Sequence, residues 1–198
     1  MPLTARSTPA TSTRASTPLD FDRPLLISAV FVGLVALAAS SRLINIAPNV
    51  AAVAAAGLLA GALFRSRTLA VCVPICAMLL SDVFIGSYAP LVMAAVYTGL
   101  TLPALVGRWL HVRSGPARLL ATAVGCSTAF FLLTNLAVWF SGTGVGAPRS
   151  LDGLIACYAA AVPFYRLTLL GDIAFTLTLF GAWALLSHAI TARRGLAA

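Results

Sequence analysis

The chain has 198 residues, 60% of them hydrophobic and 9% charged, and a mean hydropathy of +0.98, whereas an ordinary soluble domain carries about a quarter charged residues. That excludes a soluble domain and indicates an integral membrane protein. The formal charge is +8, but all thirteen bases are Arg and all five acids are Asp; because the Arg residues punctuate apolar segments and build no soluble basic face, they read as topology signals and not as a nucleic-acid surface.

In chain order, residues 1–24 are rich in Thr, Ser, Pro and Ala with Arg6, Arg14 and Arg23, too polar to bury, and are expected to form a disordered cytoplasmic tail. Six apolar runs follow, each near the ~20 residues that a helix needs to cross a bilayer: Leu25–Ser40, Pro48–Phe64, Thr68–Gly86, Ala89–Gly107, Ala117–Phe140 and Leu167–Ile190. Between the last two lies Leu151–Pro163, too short to span and ended by proline, which predicts a re-entrant or interfacial helix. No run alternates with period two, which argues against a barrel. The expected fold is therefore an all-α integral membrane protein, a compact bundle of six transmembrane helices over 25–190 with that short helix before the last. Residues 191–198 are expected to be a second short cytoplasmic tail.

Orientation follows from the Arg census. With the N-terminus inside, the inner segments hold ten Arg residues (6, 14, 23, 65, 67, 108, 113, 118, 193, 194) and the outer ones three, Arg42, Arg149 and Arg166. That is a positive-inside bias, which puts both termini in the cytoplasm.

Asp82 lies inside the third apolar run. An Asp at a helix centre costs about 2.5–3.5 kcal/mol to insert, so such acids face a bundle interior or cavity and pair with something. Under the expected topology Asn49, Asp82, Asn135, Trp139, Arg166 and Asp172 fall at one outer level, with Tyr88 in the adjoining loop, while the inner half carries no intramembrane charge. This predicts a pocket open to the outer face, lined by Asn49, Asp82, Tyr88, Asn135, Trp139, Arg166 and Asp172. The plainer alternative is an Asp82–Arg166 pair that only holds helices together. Small residues form a second pattern: Ala29, Gly33, Ala36 and Ser40 share one face of the first helix, and the second carries Ala56, Gly57, Ala60 and Gly61. Such faces serve close packing within the chain or docking of a partner helix.

Chemistry beyond binding is weakly signalled. Cys72 and Cys76 precede Asp82, but six residues from Cys76 to Asp82 is about 240° around a helix, and no zinc-like spacing is present. No metal and no cofactor is expected. The phosphate-cradling Gly-rich loop is absent, Ser81 and Asp82 point about 100° apart, and His111 and His188 are remote in depth, so an enzyme is not expected.

Four segments in order, RLINIAPNVAAVAAAGLLAGALF (Arg42–Phe64), LLSDVFIG (Leu79–Gly86), TNLAVW (Thr134–Trp139) and YRLTLLGDIAF (Tyr165–Phe175), resemble a bacterial family of transport-type membrane proteins of unknown function, itself similar to the substrate-binding S subunits of energy-coupling-factor vitamin transporters. The resemblance covers Arg42 to Trp183. It implies a six-helix bundle in the bacterial inner membrane with both termini cytoplasmic and a pocket near the outer surface. It also implies a first-helix face, here Ala29, Gly33, Ala36 and Ser40, that packs on an energy-coupling transmembrane subunit bearing ATPases. The expected function is uptake of a small vitamin-like or polar micronutrient. The expected partners are that solute, membrane lipid and the coupling subunit, with no nucleic acid. The alternative is a non-transporting scaffold of the cell-shape type; a small channel is disfavoured because no polar stripe continues through the inner half.

Overall fold

The computed structural model describes residues 24–44, 47–111, 114–144 and 148–195, without the side chains of 193–195. Six helices, and among the described residues no strand, make up the chain: α1 (Pro24–Ile44), α2 (Val53–Leu63), α3 (Arg67–Ile85), α4 (Pro90–Gly107), α5 (Pro116–Ser141) and α6 (Leu151–Gly195). Their ends are legible locally. The Ser66 hydroxyl accepts from the Leu69 N–H to cap α3, proline opens α4 and α5 at the position where its missing N–H costs nothing, and Gly142 closes α5 in the left-handed region.

All helices except α2 are long and apolar enough to cross a membrane, which makes the chain a multi-pass membrane protein. Their outward faces carry Leu25, Val32, Leu79, Leu80, Val83 and Phe84 in the open, an apolar exterior that water would penalise and lipid does not. The central element is α2. Nine of its eleven residues are buried, and glycines on α2 and α4 let the two backbones touch: a Cβ on Gly61 of α2 would stand 2.2 Å from the Ala104 carbonyl oxygen, and one on Gly107 of α4 would stand 2.1 Å from that of Leu58. The small residues of α2 thus pack within the chain, against α4. Those of α1 do not: Ala29, Gly33, Ala36 and Ser40 are all exposed, while α1 turns Leu34, Val35, Ala38, Ala39 and Ser41 inward.

Four boundaries depart from expectation. The second run yields only the eleven residues of α2, about 16 Å at 1.5 Å per residue, because Ala47–Ala52 is taken up by a turn in which the Val50 N–H donates to the Ala47 carbonyl at 3.1 Å. Asn49 holds a positive φ of 61° in that turn, a conformation that Asn tolerates better than most residues. At the other end α1 runs through Ile44, so Arg42 is a helix residue and not a loop residue. The largest correction concerns Leu151–Pro163, which is no separate re-entrant or interfacial helix. It is the first third of the unbroken, 45-residue α6, which also continues past Ile190. Proline removes one helical hydrogen bond, but membrane helices tolerate that when neighbours hold them, and here Tyr158 and Tyr165, on either side of Pro163, both pack their rings on Phe131 of α5. The Tyr158 hydroxyl also donates to the Leu132 carbonyl at 2.7 Å. The expected N-terminal tail lies, apart from Pro24, outside the described residues, as do the last three residues of the chain.

Candidate functional site

At the end of the bundle where α1 and α3 finish and α2 and α4 begin, Asp82 occupies the last turn of α3. The helix ends one turn later because Gly86, at φ 95°, caps it with an N–H donated to the Asp82 carbonyl. The Asp82 side chain is fully engaged. Arg42 Nη1 donates to its Oδ1 at 2.8 Å, and the Tyr97 hydroxyl donates to Oδ2, also at 2.8 Å. The same guanidinium nitrogen reaches Ser81 Oγ and the Met78 carbonyl, and Ser81 in turn donates back to its own helix. This ties α1, α3 and α4 together through one ion pair whose side chains are only 15% and 7% exposed. The turn bearing Asn49 is fastened to the same corner, since the Ala52 N–H donates to Ser41 Oγ at 2.9 Å.

Beside this cluster a cavity of about 320 Å³ opens among all six helices. Arg42, Asn49, Tyr88, Thr168, Cys126 and Asp172 contribute its polar wall, and Met78, Val96, Leu100, Pro103 and Phe130 its apolar one. Exposed Asn49 and Tyr88 stand where it meets the surface. Burial and then the Asp82 carboxylate push the Tyr88 phenol above its ordinary pKa, with Arg42 opposing, so this rim hydroxyl is a neutral donor at physiological pH. Asp172, halfway along α6, is 7% exposed and accepts a hydrogen bond from Ser127 of α5 at Oδ2. A second cavity of about 210 Å³ adjoins the first, sharing Asn49, Val96, Phe130 and Thr168 with it and adding Asn135 and Tyr165. Mostly apolar walls with a few convergent polar groups, at the lower end of the ~300–1,000 Å³ usual for small-molecule sites, are the physical form of a ligand pocket. No group of three or more His, Cys, Asp or Glu that could hold a metal ion occurs among the described residues.

Residues 24–193 match a family described as a family of unknown function (DUF6580). The chain belongs to that family. The match opens with the first residue of α1 and ends in the last turns of α6, so both cavities of this DUF6580 protein lie within it. No curated protein and no solved structure matches the chain.

Of the seven pocket residues expected from sequence, the DUF6580 bundle brings Asn49, Tyr88 and Asp172 to the larger cavity and Asn135 to the smaller. Asn135 spends its amide N–H on the Phe131 carbonyl of its own helix at 2.8 Å. Asp82 lines neither cavity and acts through Arg42, which does. Arg166 is exposed on α6 and lines neither, so the expected Asp82–Arg166 pair is replaced by Asp82–Arg42: the continuity of α6 moves Arg166 from a helix start to a mid-helix outer face. Trp139 is also outside both cavities, because its indole N–H donates to the Pro148 carbonyl at 3.3 Å and its ring packs on Phe140. Sequence reasoning missed Arg42, Tyr97, Ser127 and Thr168 as site residues. Arg42 carried a signal, being one of three outer Arg residues and next to a helix end; Ser127 and Thr168 carried none.

Proposed function

We propose that this DUF6580 protein is a membrane solute-uptake protein, built like the S subunits of energy-coupling-factor transporters, that binds a small vitamin-like or polar micronutrient in the cavity between Asn49 and Asp172. The observation that carries this reading is the 320 Å³ cavity itself, because an apolar-walled space with a few convergent polar groups is the usual form of a small-molecule site. The four segments resembling the S-subunit-like family support it, since they contribute Arg42, Asn49 and Asp172 to that wall. In this reading the chain crosses the bacterial inner membrane six times, with α2 as a short central crossing completed by the Ala47–Ala52 turn. Both termini are cytoplasmic, as the Arg distribution requires, and the cavity opens outward. Transport is a reorientation of the loaded bundle, alone or driven by a coupling subunit docked on the exposed α1 face of Ala29, Gly33, Ala36 and Ser40.

The scaffold reading draws on a different observation, the saturation of Asp82 by Arg42 and Tyr97, which is the behaviour of structural glue. The two separate on filling the cavity without touching a polar group. Ala54 lines it, and Ala54→Leu projects a larger side chain into the space. A thermal-shift screen of detergent-purified protein against vitamins, their precursors, nucleobases and related solutes is expected to yield a stabilising ligand, which at ~100 times its Kd adds about 2.7 kcal/mol. Ala54→Leu is expected to lose that stabilisation. A wild-type protein that no solute stabilises across the panel moves the scaffold reading ahead.

A further inference from the structure

The larger cavity carries two charged side chains on its wall, and they are not equivalent. The Arg42 charge is cancelled on the spot by Asp82, 2.8 Å away. Among the described residues Asp172 has no such counterpart: the hydrogen bond from Ser127 to Oδ2 is the one its carboxylate accepts there, and the Arg42–Asp82 bridge is the one ion pair. Summing Arg42, Asp82 and Asp172 leaves the cavity one negative charge in excess. No sealed side-chain oxygen or nitrogen lacks a hydrogen-bond partner among the described residues, so Asp172 Oδ1, which accepts none from them, is not sealed, and the cavity that Asp172 lines is the space beside it. An open carboxylate oxygen in an apolar-walled cavity is a receptor for positive charge, because away from bulk water a lone charge is costly until it is paired.

We infer that the solute held by this cavity is a small organic cation, its ammonium or cationic heterocycle docked on Asp172 Oδ1 and its ring or alkyl body against Phe130. The walls decide between an organic cation and a bare metal ion. One carboxylate among Leu100, Pro103, Val96 and Phe130 falls far short of the six to eight oxygens that a hard cation such as calcium takes, whereas an aromatic face beside a carboxylate suits an organic cation through cation–π attraction. At the other end Arg42 uses only Nη1 in its hydrogen bonds to the described residues, leaving the rest of the guanidinium and the Tyr88 hydroxyl as donors for an acceptor group of the same solute. The cavity therefore selects a molecule that is positive at one end and accepts hydrogen bonds at the other.

This rests on the solute-binding reading, and the test separates the two. The full-length protein in detergent is titrated with matched triplets of cationic, neutral and anionic solutes, such as 1-methylnicotinamide, nicotinamide and nicotinate, or benzylamine, benzyl alcohol and benzoate, together with the vitamin panel sorted by charge. Melting temperature and direct binding are read on wild type and on Asp172→Asn, which keeps the size of the side chain and an oxygen for Ser127. Cationic members are expected to bind the wild type about ten- to a hundred-fold more tightly than their neutral isosteres, the worth of one charge-assisted hydrogen bond, and Asp172→Asn is expected to erase that preference. Binding of neutral or anionic members with no cationic preference overturns the charge assignment and leaves solute binding standing. Binding by no member of any charge overturns both. Should Asp172→Asn not fold, the wild-type triplets alone still decide the sign of the preferred charge.

Discussion

Two carboxylates sit inside this bundle, both largely withdrawn from solvent, and they keep different company. Asp82, in the last turn of α3, has an Arg from α1 on one oxygen and a Tyr from α4 on the other. Asp172, in mid-α6, has one Ser from α5 and an oxygen to spare. What sets them apart is saturation. A saturated buried ion pair holds elements in register, and a buried charge left open is a binding group whose partner comes from outside the chain. In the proposed reading the two roles are divided between these acids, and Arg42 is shared: it pairs with Asp82 and also lines the cavity that Asp172 lines.

The largest effect expected from that division is on stability at Asp82. Asp82→Ala strands the Arg42 guanidinium, whose side chain is only 15% exposed, and losing one partner of such a pair costs about 3–5 kcal/mol. Arg42→Met together with Asp82→Leu removes both charges, and is expected to recover to within about 1–2 kcal/mol of wild type, since apolar replacement of a whole buried pair is often close to neutral. Denaturation curves of the two single variants and the double variant in detergent measure this as a coupling energy. A coupling near zero breaks the comparison, because Asp82 is then no better tied than Asp172.

A smaller change sharpens it. Tyr97→Phe keeps the ring and the ion pair but takes the one donor from Asp82 Oδ2. Leaving a buried acceptor unmade costs about 1–3 kcal/mol, and a loss in that range, read from the same curves, shows that the second oxygen is a structural contact and not a vacant ligand position. A Tyr97→Phe protein as stable as wild type places Asp82 Oδ2 with Asp172 Oδ1, as an acceptor free for a solute.

Sequence patterning anticipated the helices wherever hydropathy alone decides, and failed where side-chain partners decide. The boundaries of α3, α4 and α5 follow from caps, prolines and run lengths, each of which acts within a few residues. The continuity of α6 through Pro163 depends on Phe131 holding Tyr158 and Tyr165, a long-range packing fact with no local trace. The same limit governs the site. That Asp82 needs a partner was legible from its cost in the membrane, but choosing Arg42 over Arg166 required knowing how α1 and α6 lie against α3. Asp172 was legible as an acid in an apolar run; that no cation among the described residues pairs with it was not, because pairing depends on how all the helices pack. The small-residue patterns divide in the same way: small residues four apart occur on both α1 and α2, yet α2 packs on α4 and the α1 face stays outside.

The smallest stability change belongs to Asp172, and it is the one most specific to an open carboxylate. In Asp172→Asn the retained oxygen still accepts from Ser127, and the new amide N–H groups face the cavity where Oδ1 stood, so no sealed group is orphaned. The charge that disappears has no counterion among the described residues to lose. Removing an uncompensated buried charge relieves its desolvation cost, so the solute-free variant is expected to melt within about 1 kcal/mol of wild type or slightly above it, well outside the 3–5 kcal/mol loss at Asp82. Two acids in the same bundle then give opposite answers to loss of charge. A large destabilisation by Asp172→Asn would mean that its charge is already spent on holding α5 and α6 together, and the contrast between a closed acid and an open one would fall.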